Sequence, residues 1–391
     1  MSDFKVIKNI TVMNNKRLKL GIIFKFSPSW MGGVIYVINL VKALNRLPDS
    51  DKPEIFLFYR PELKEFLDEF DYPYISLIES KALPVYKNFL VSWMKRKNVF
   101  VDDLIEKYSL DAIYPVKNFP IKSKTNANVV AWYADLQHKY YPEFFKKSIL
   151  IHRAFRTRFM LRNADQLVVS SRAVKDDFHK FFNIRPDLKF HIYHFVSIND
   201  DFNDVTIEEL KKKYKLPDKY FMVSNQFHKH KNHKVLLLAL AKLKEMGIKK
   251  HIAMTGKFPD AKYSPYISEL HDIINKYSLH DRISFLGLIP RKDQMQLMNH
   301  CQAVIQPSLF EGWSTVIEDA ISIQVPVIAS TLPVNIEQLE DKGTYFDPHD
   351  VDKLVSILKD YPDRKFGVNI YGDYSVRIKE AIGGLLQLFK S

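Results

Sequence analysis

The 391-residue sequence has one cysteine, Cys301, so an intramolecular disulfide is impossible and a cysteine-built zinc site is not expected. Glycine (12) and proline (19) are too few for a collagen-like or Gly/Pro-rich disordered chain. No apolar run approaches the roughly 18 residues that a membrane span needs. The opening, MSDFKVIKNITVMNNKRLKL, lacks the apolar centre of a signal peptide. Neither secretion nor a membrane anchor is therefore expected, and the cytoplasm is the default location. Acidic residues are in short supply: 58 Lys and Arg stand against 45 Asp and Glu, a net charge of +13. Such a field favours anionic partners, whether nucleic acid, acidic lipid or phosphorylated metabolites. The imbalance is sharpest between Lys139 and Lys189, with twelve basic residues against five acidic ones. That stretch fits a solvated basic helix face, and equally a docking face for a membrane or a polyanionic acceptor.

What is present is ordinary for a soluble globular protein, with 46% apolar and 26% charged residues. The length allows two to three domains. No internal repeat or low-complexity segment occurs. Short apolar runs alternate with amphipathic stretches. Leu18–Phe26, Glu54–Tyr59, Ala112–Val116, Asn128–Tyr133 and Gln166–Ser171 read as strands, and Val34–Leu47 as a helix. The polar stretch Ser197–Lys219 reads as a linker, after which the alternation resumes. Tyr220–Asn225, His251–Gly256, Ile283–Leu288, Ala303–Ser308 and Pro326–Ser330 are the next predicted strands. This pattern predicts an α/β chain of two doubly wound, Rossmann-like domains facing each other across a cleft. Their expected extents are residues 1–205 and 206–370. A helix over 371–391 either caps the second domain or crosses back to the first. Ligands are expected at the carboxyl ends of the strands, in the cleft.

Four segments carry candidate chemistry. In QPSLFEGWSTVIEDAISIQVPVIAS (Gln306–Ser330) a strand ends near Ser308, a loop holds Glu311, Gly312 and Trp313, and Ser314 or Thr315 starts a helix. A helix start behind a strand offers free N–H groups and a positive dipole end, which suits a phosphate. Thr315 and Glu318 have the spacing of a capping box. Glu311 can accept hydrogen bonds from sugar hydroxyls. Asp319, eight residues on, either contacts a second set of hydroxyls or stabilises the helix dipole. The second segment, SNQFHKHKNHKVLLLALAKL (Ser224–Leu243), runs from a strand end into a helix. It brings Gln226, Lys229 and Lys231, with Asn232 as a helix cap. His228, His230 and His233 in the same stretch suggest either a metal cluster or a phosphate loop. The third, SWMGGVIYVINL (Ser29–Leu40), has paired Gly32 and Gly33 between strand and helix, where backbone can approach a ligand closely. The fourth, WYADLQHKYYPEFF (Trp132–Phe145), follows another strand and carries Asp135 and His138.

These segments resemble the retaining glycosyltransferases of family 4, which have the two-domain GT-B architecture. Glu311-Gly312-Trp313 followed by an acid at position 319 looks like that family's E-x7-E region, with Asp in place of the second Glu and Glu318 one residue earlier. The resemblance implies that Glu311 contacts the donor sugar and that Asp319 or Glu318 contacts the nucleotide ribose. The amides of Gly312, Trp313, Ser314 and Thr315 would lie near sugar and phosphate. Lys231 matches the Lys of the family's diphosphate clamp, and Gln226 stands where its Arg often is. Gly32 and Gly33 match the first-domain glycine turn. His138 matches the cleft histidine that usually contacts the donor sugar, with Asp135 orienting the acceptor. The segments around Gly256 and Phe285–Met298 look like loops near the base. The resemblance covers nearly the whole chain and makes the first domain the acceptor side and the second the donor side.

The activity implied is sugar transfer from a nucleotide-sugar donor to an acceptor hydroxyl with retention, in polysaccharide or glycolipid synthesis. No cofactor or metal is expected, and no DxD motif stands at a strand end. The acceptor would be a saccharide or a lipid-linked one, and the aromatic-basic Tyr86–Lys97 segment permits peripheral contact with an anionic membrane. Three alternatives are a nucleotide-sugar epimerase, a phosphorylase of the same architecture and a non-catalytic anion-binding protein. Nucleic acid is not an expected partner, since helix-turn-helix, zinc-finger and RNP-type patterns are missing.

Overall fold

The structure, a computed structural model, describes residues 17–27, 30–81, 83–199 and 201–390. Most of the opening stretch read above for a signal peptide lies outside them, as do Ser29 of the glycine segment, Asp200 of the linker and Ser391.

Two parallel sheets organise the described residues. The first holds β1 (Lys19–Phe24), β2 (Glu54–Tyr59), β3 (Ile75–Glu79), β4 (Ala112–Val116), β5 (Asn128–Tyr133), β6 (Gln166–Val169) and β7 (Lys189–Ile192), in the order β3-β2-β1-β4-β5-β6-β7. The second holds β8 (Phe221–Ser224), β9 (Ile252–Thr255), β10 (Ile283–Gly287), β11 (Val304–Gln306), β12 (Val327–Ser330) and β13 (Thr344–Phe346), in the order β10-β9-β8-β11-β12-β13. Both have the doubly wound order, reversing at β1/β4 and at β8/β11. Ligands of such sheets collect at those reversals, beyond the carboxyl ends of the strands.

Central strands are apolar because helices cover both sheet faces. Leu20, Ile22 and Phe24 of β1 and Val304 and Ile305 of β11 have no exposed surface. The predicted α/β class and the two Rossmann-like units are what the structure has. Three strands fall outside the sequence reading: β3, β7 and β13, all at sheet edges. Half-exposed side chains on β3 and β7 give them no continuous apolar run. The linker also differs from expectation. Its second half is the helix Ile207–Tyr214, started by a capping box between Thr206 and Glu209 and buried through Ile207 and Leu210.

The last helix, Tyr374–Lys390, leaves the second unit and lies on the first. Leu385, Leu388 and Phe389 enter the first core, with the Phe389 ring 5.7 Å from that of Tyr114. No described helix is long and apolar enough to cross a membrane.

Candidate active site

The loops after β1, β5, β8 and β11 meet where the two sheets face each other. After β8, His228 to Lys231 make one turn of 3-10 helix, and Asn232 adopts a left-handed backbone (φ 56°). Asn232 stands at the helix start but does not cap it. Its Nδ2 donates to the carbonyls of Pro307 (3.1 Å) and Pro348 (2.8 Å), tying this loop to the one after β11. Leu309 N donates to the His230 carbonyl at 2.7 Å, a second tie.

These ties set Lys231 against Glu311, with Nζ 2.6 Å from Oε1 and both side chains largely buried (19% and 9% exposed). Gln306 Nε2 and Ser308 Oγ also donate to Oε1, each at 2.7 Å. Three donors thus converge on one oxygen, and Oε2 has no protein partner among the described residues. Burial alone would raise the Glu311 carboxyl, but the Lys231 ammonium and Ser308 outweigh it and hold the group ionised below its usual range.

The first domain supplies the opposite wall. Asp135 Oδ1 accepts from Gln137 N at 3.0 Å, and burial raises its carboxyl despite the nearby Arg153. It lies close enough to Glu311 and Lys231 to feel both charges. His138 is buried, with Nδ1 3.4 Å from Arg153 Nη1 and Nε2 unpartnered. Burial, then the charges of Arg153 and Lys139, push it down to about 4, so the imidazole is neutral at pH 7. Aromatic contacts between Tyr140 and Phe310 (5.4 Å) hold its loop against that of Glu311.

Glycine matters most at Gly312, where a Cβ would collide with the Ala134 carbonyl and come within 2.9 Å of Asp135 Cβ. Ser170 Oγ bridges the same junction, donating to the carbonyls of Ala134 (2.6 Å) and Gly312 (3.0 Å). Gly256 (φ 102°) packs on the Asn225 carbonyl behind β8. At Gly33 a Cβ would stand 2.8 Å from the Phe26 and Trp30 rings, so this glycine makes room for Trp30. Gly32 stands beside it, where a Cβ would lie 3.4 Å from Trp30 Nε1. Exposed Gln226 accepts through Oε1 from His228 Nε2–H at 2.8 Å.

The acids of the helix Thr315–Ser322 depart from the sequence reading. Its cap is Ser314, whose Oγ accepts from Ile317 N at 3.3 Å, so Thr315 and Glu318 form no capping box. Thr315 and Val316 are first-turn residues whose amides have no intrahelical partner. Glu318 is buried and faces the C-terminal segment, accepting from Gln338 Nε2 (2.7 Å), Tyr374 OH (3.0 Å) and Arg377 Nη1 (3.1 Å). Asp319 pairs with both terminal nitrogens of Arg291 and accepts from Ser197 Oγ at 2.6 Å. Of the two acids, Asp319 is thus the one beside the linker at the cleft floor. Trp313 turns to the interdomain contact: it stacks on His194 at 4.2 Å and donates to the Phe195 carbonyl at 3.1 Å. The three histidines after β8 form no cluster, since among the described residues no three His, Cys, Asp or Glu side chains converge on a cation position. His233 instead stacks on Phe227, 4.3 Å away.

Sequence reasoning missed Glu337, Arg291 and the cations Lys117, Arg153 and Arg156. Glu337 of the second domain accepts from the amides of Arg172 (2.9 Å) and Ala173 (3.1 Å), capping a first-domain helix. The basic excess between Lys139 and Lys189 was the signal for Arg153 and Arg156, whose side chains line a half-open cavity.

Residues 206–364 match the family of glycosyl transferases group 1. The O-antigen chain mannosyltransferase RfbU of Salmonella typhimurium is 23% identical over 64% of this chain and 67% of its own length. The O-antigen biosynthesis glycosyltransferase WclY of Escherichia coli is 22% identical over 84% of each chain. Among solved structures, Anabaena HepE in complex with UDP-glucose superposes with a TM-score of 0.65 at 18% identity, covering 95% of this chain and 100% of that one. The match lies in the domain that holds Lys231 and Glu311, and the fold likeness extends over both: the second domain matches the group 1 glycosyltransferases, and the chain as a whole has the GT-B architecture.

Proposed function

We propose that the protein transfers a sugar from a nucleotide-sugar donor to an acceptor hydroxyl with retention of configuration, in polysaccharide or glycolipid synthesis. The observation that carries this is the buried Lys231–Glu311 pair, set at the β8/β11 reversal and near Asp135 of the first domain. As the glycosidic C–O bond breaks, negative charge grows on the departing diphosphate. The Lys231 ammonium and the amides of Thr315 and Val316 meet that charge, and preorganised donors of this kind are a large catalytic contribution. Oε2 of Glu311 accepts from a sugar hydroxyl, while Lys231, Gln306 and Ser308 hold Oε1 still. Neutral His138 offers Nε2 to the same sugar. Asp319 receives the ribose hydroxyls, with Arg291 fixing its carboxylate. Asp135 orients the acceptor. No metal is part of this scheme.

The likeness to O-antigen transferases and to HepE with UDP-glucose supports a hexose on a nucleoside diphosphate. The helix Val85–Lys95 exposes Leu90 (57%) and Met94 (84%) beside Lys87 and Lys95, which supports peripheral contact with an anionic membrane and a lipid-linked acceptor. The test is a thermal-shift screen across UDP-, GDP-, ADP- and TDP-sugars. One of them raises the melting temperature, because a ligand that binds only the native state stabilises it. If none does, and no sugar transfer from any of them is detected, the reading fails.

A further inference from the structure

A cavity of about 150 Å³ lies within the first domain, beside Asp135. Its lining includes Trp30, Trp132, Lys117, Arg153 and Arg156. The basic groups are not neutralised. No carboxylate among the described residues forms an ion pair with Lys117, Arg153 or Arg156. The Lys117 ammonium rests on ring faces instead, 4.1 Å from Phe26, 4.7 Å from Trp30 and 4.9 Å from Trp132. Arg156 Nε is buried without a hydrogen-bond partner. Among the described residues Arg153 reaches His138 Nδ1 and the Phe145 ring. Burial and the two guanidiniums push the Lys117 amine below its ordinary range. Two guanidiniums and the Lys117 amine against the single carboxylate of Asp135 favour an anion, which would satisfy the guanidiniums and restore the lysine's charge.

The shape adds a second requirement. Trp30 stacks on buried Trp132 at 5.8 Å and forms one wall, its 40% exposed ring an apolar surface for the C–H face of a sugar. All the lining residues come from the first domain, whereas Lys231 and Glu311 belong to the second.

We propose that this cavity is the acceptor subsite and that it selects an acceptor carrying an acidic group, a phosphate or a carboxylate, on or next to the sugar that receives the new bond. The acid is held by Lys117, Arg153 and Arg156, the ring lies on Trp30, and the attacking hydroxyl is presented past Asp135 toward the donor. The assignment rests on the sugar-transfer reading above, but its test is separate from it.

Calorimetric titration of the full chain compares methyl α-glucoside, methyl α-glucosiduronate, glucose 1-phosphate and a short prenyl diphosphate-linked glucose, with UDP and GDP as donor probes. The acidic sugars bind at least about tenfold tighter than the neutral one, as charge-assisted bonds imply. The carboxylate and phosphate arms then tell which acid is preferred, and the prenyl arm whether the phosphate is a lipid's. Arg156→Met and Lys117→Met each weaken the acidic sugar about tenfold or more and leave the nucleotide unchanged, while Arg156→Lys restores part of the loss. Circular dichroism checks that each variant folds. Equal affinity for neutral and acidic sugars overturns the proposal. So does loss of nucleotide affinity in Arg156→Met, which would make the cavity part of the donor phosphate site. Failure of every nucleotide to bind, with acidic sugars still selected, would sink the transferase reading and with it the acceptor role, leaving the cavity as a site that selects acidic sugars.

Discussion

At the scale of single residues, the Lys231–Glu311 pair couples stability to chemistry. Lys231→Met leaves a buried carboxylate without its counter-ion, which costs about 3 kcal/mol, so unfolding by urea should shift to lower concentration. Adding Glu311→Gln removes the orphaned charge and should restore most of that stability. Turnover should stay orders of magnitude low in both variants, because the diphosphate has lost its cation. If the double variant regains activity together with stability, Lys231 is structural. His233 gives a pH prediction. Its ring is fully buried, both nitrogens lack partners, and burial, then the charge of Lys231, pushes it down to about 3 from 6.5. Between those values the unfolded chain binds a proton that the fold does not, so stability rises with pH across the window and is fully present above 6.5. His233→Phe should preserve the stack on Phe227 and flatten the pH dependence of the urea midpoint below pH 6.5. An unchanged slope would assign the effect to other groups, such as His138 and His230.

At the scale of elements, Ser314 starts the helix Thr315–Ser322. Ser314→Ala should cost about 1 kcal/mol, read from denaturant unfolding, and should weaken nucleotide binding more than a distant cap would. Equal nucleotide affinity in the variant would show that the helix start does not meet the phosphates. How much of this the sequence revealed follows from burial. Central strands such as β1 and β11 are apolar on both faces, so their runs stood out. β3 and β7, with solvent on one side, lacked such a run and were missed. Side-chain assignments followed the same logic. The position of Ser314 against Thr315 was open to within one residue, and one residue decides whether Glu318 caps the helix or reaches Arg377 and Tyr374. Segments named from strand ends, such as those of Lys231 and Glu311, were visible because topology alone carries them to the cleft. Trp313 and the Lys117–Arg156 cavity depend on how the loops fold over one another, which spacing does not encode.

At the scale of the molecule, Glu337 is the clearest bond between the halves. It reaches two free amides of a first-domain helix and His194 at 3.0 Å. Burial would raise its carboxyl, but His194 and those amides hold it below its ordinary range, so the bond persists at neutral pH. Glu337→Ala should loosen the two domains: solution scattering would give a larger radius of gyration, with kcat reduced and the folding of each domain intact. An unaltered scattering curve would mean that Gly312 and Ser170 suffice to keep them closed.

The helix Tyr374–Lys390 has a consequence for how the protein is made. Nascent chains usually complete their domains in the order in which they emerge from the ribosome. Here the earlier lobe lacks Leu385, Leu388 and Phe389 until the chain has passed through the later lobe, by which point that lobe already has its full sheet. Of the two, the half synthesised first is thus completed after the other's sheet. A stop codon shortly before Tyr374 would therefore strip the wall from the distant lobe and spare the sheet of the adjacent one.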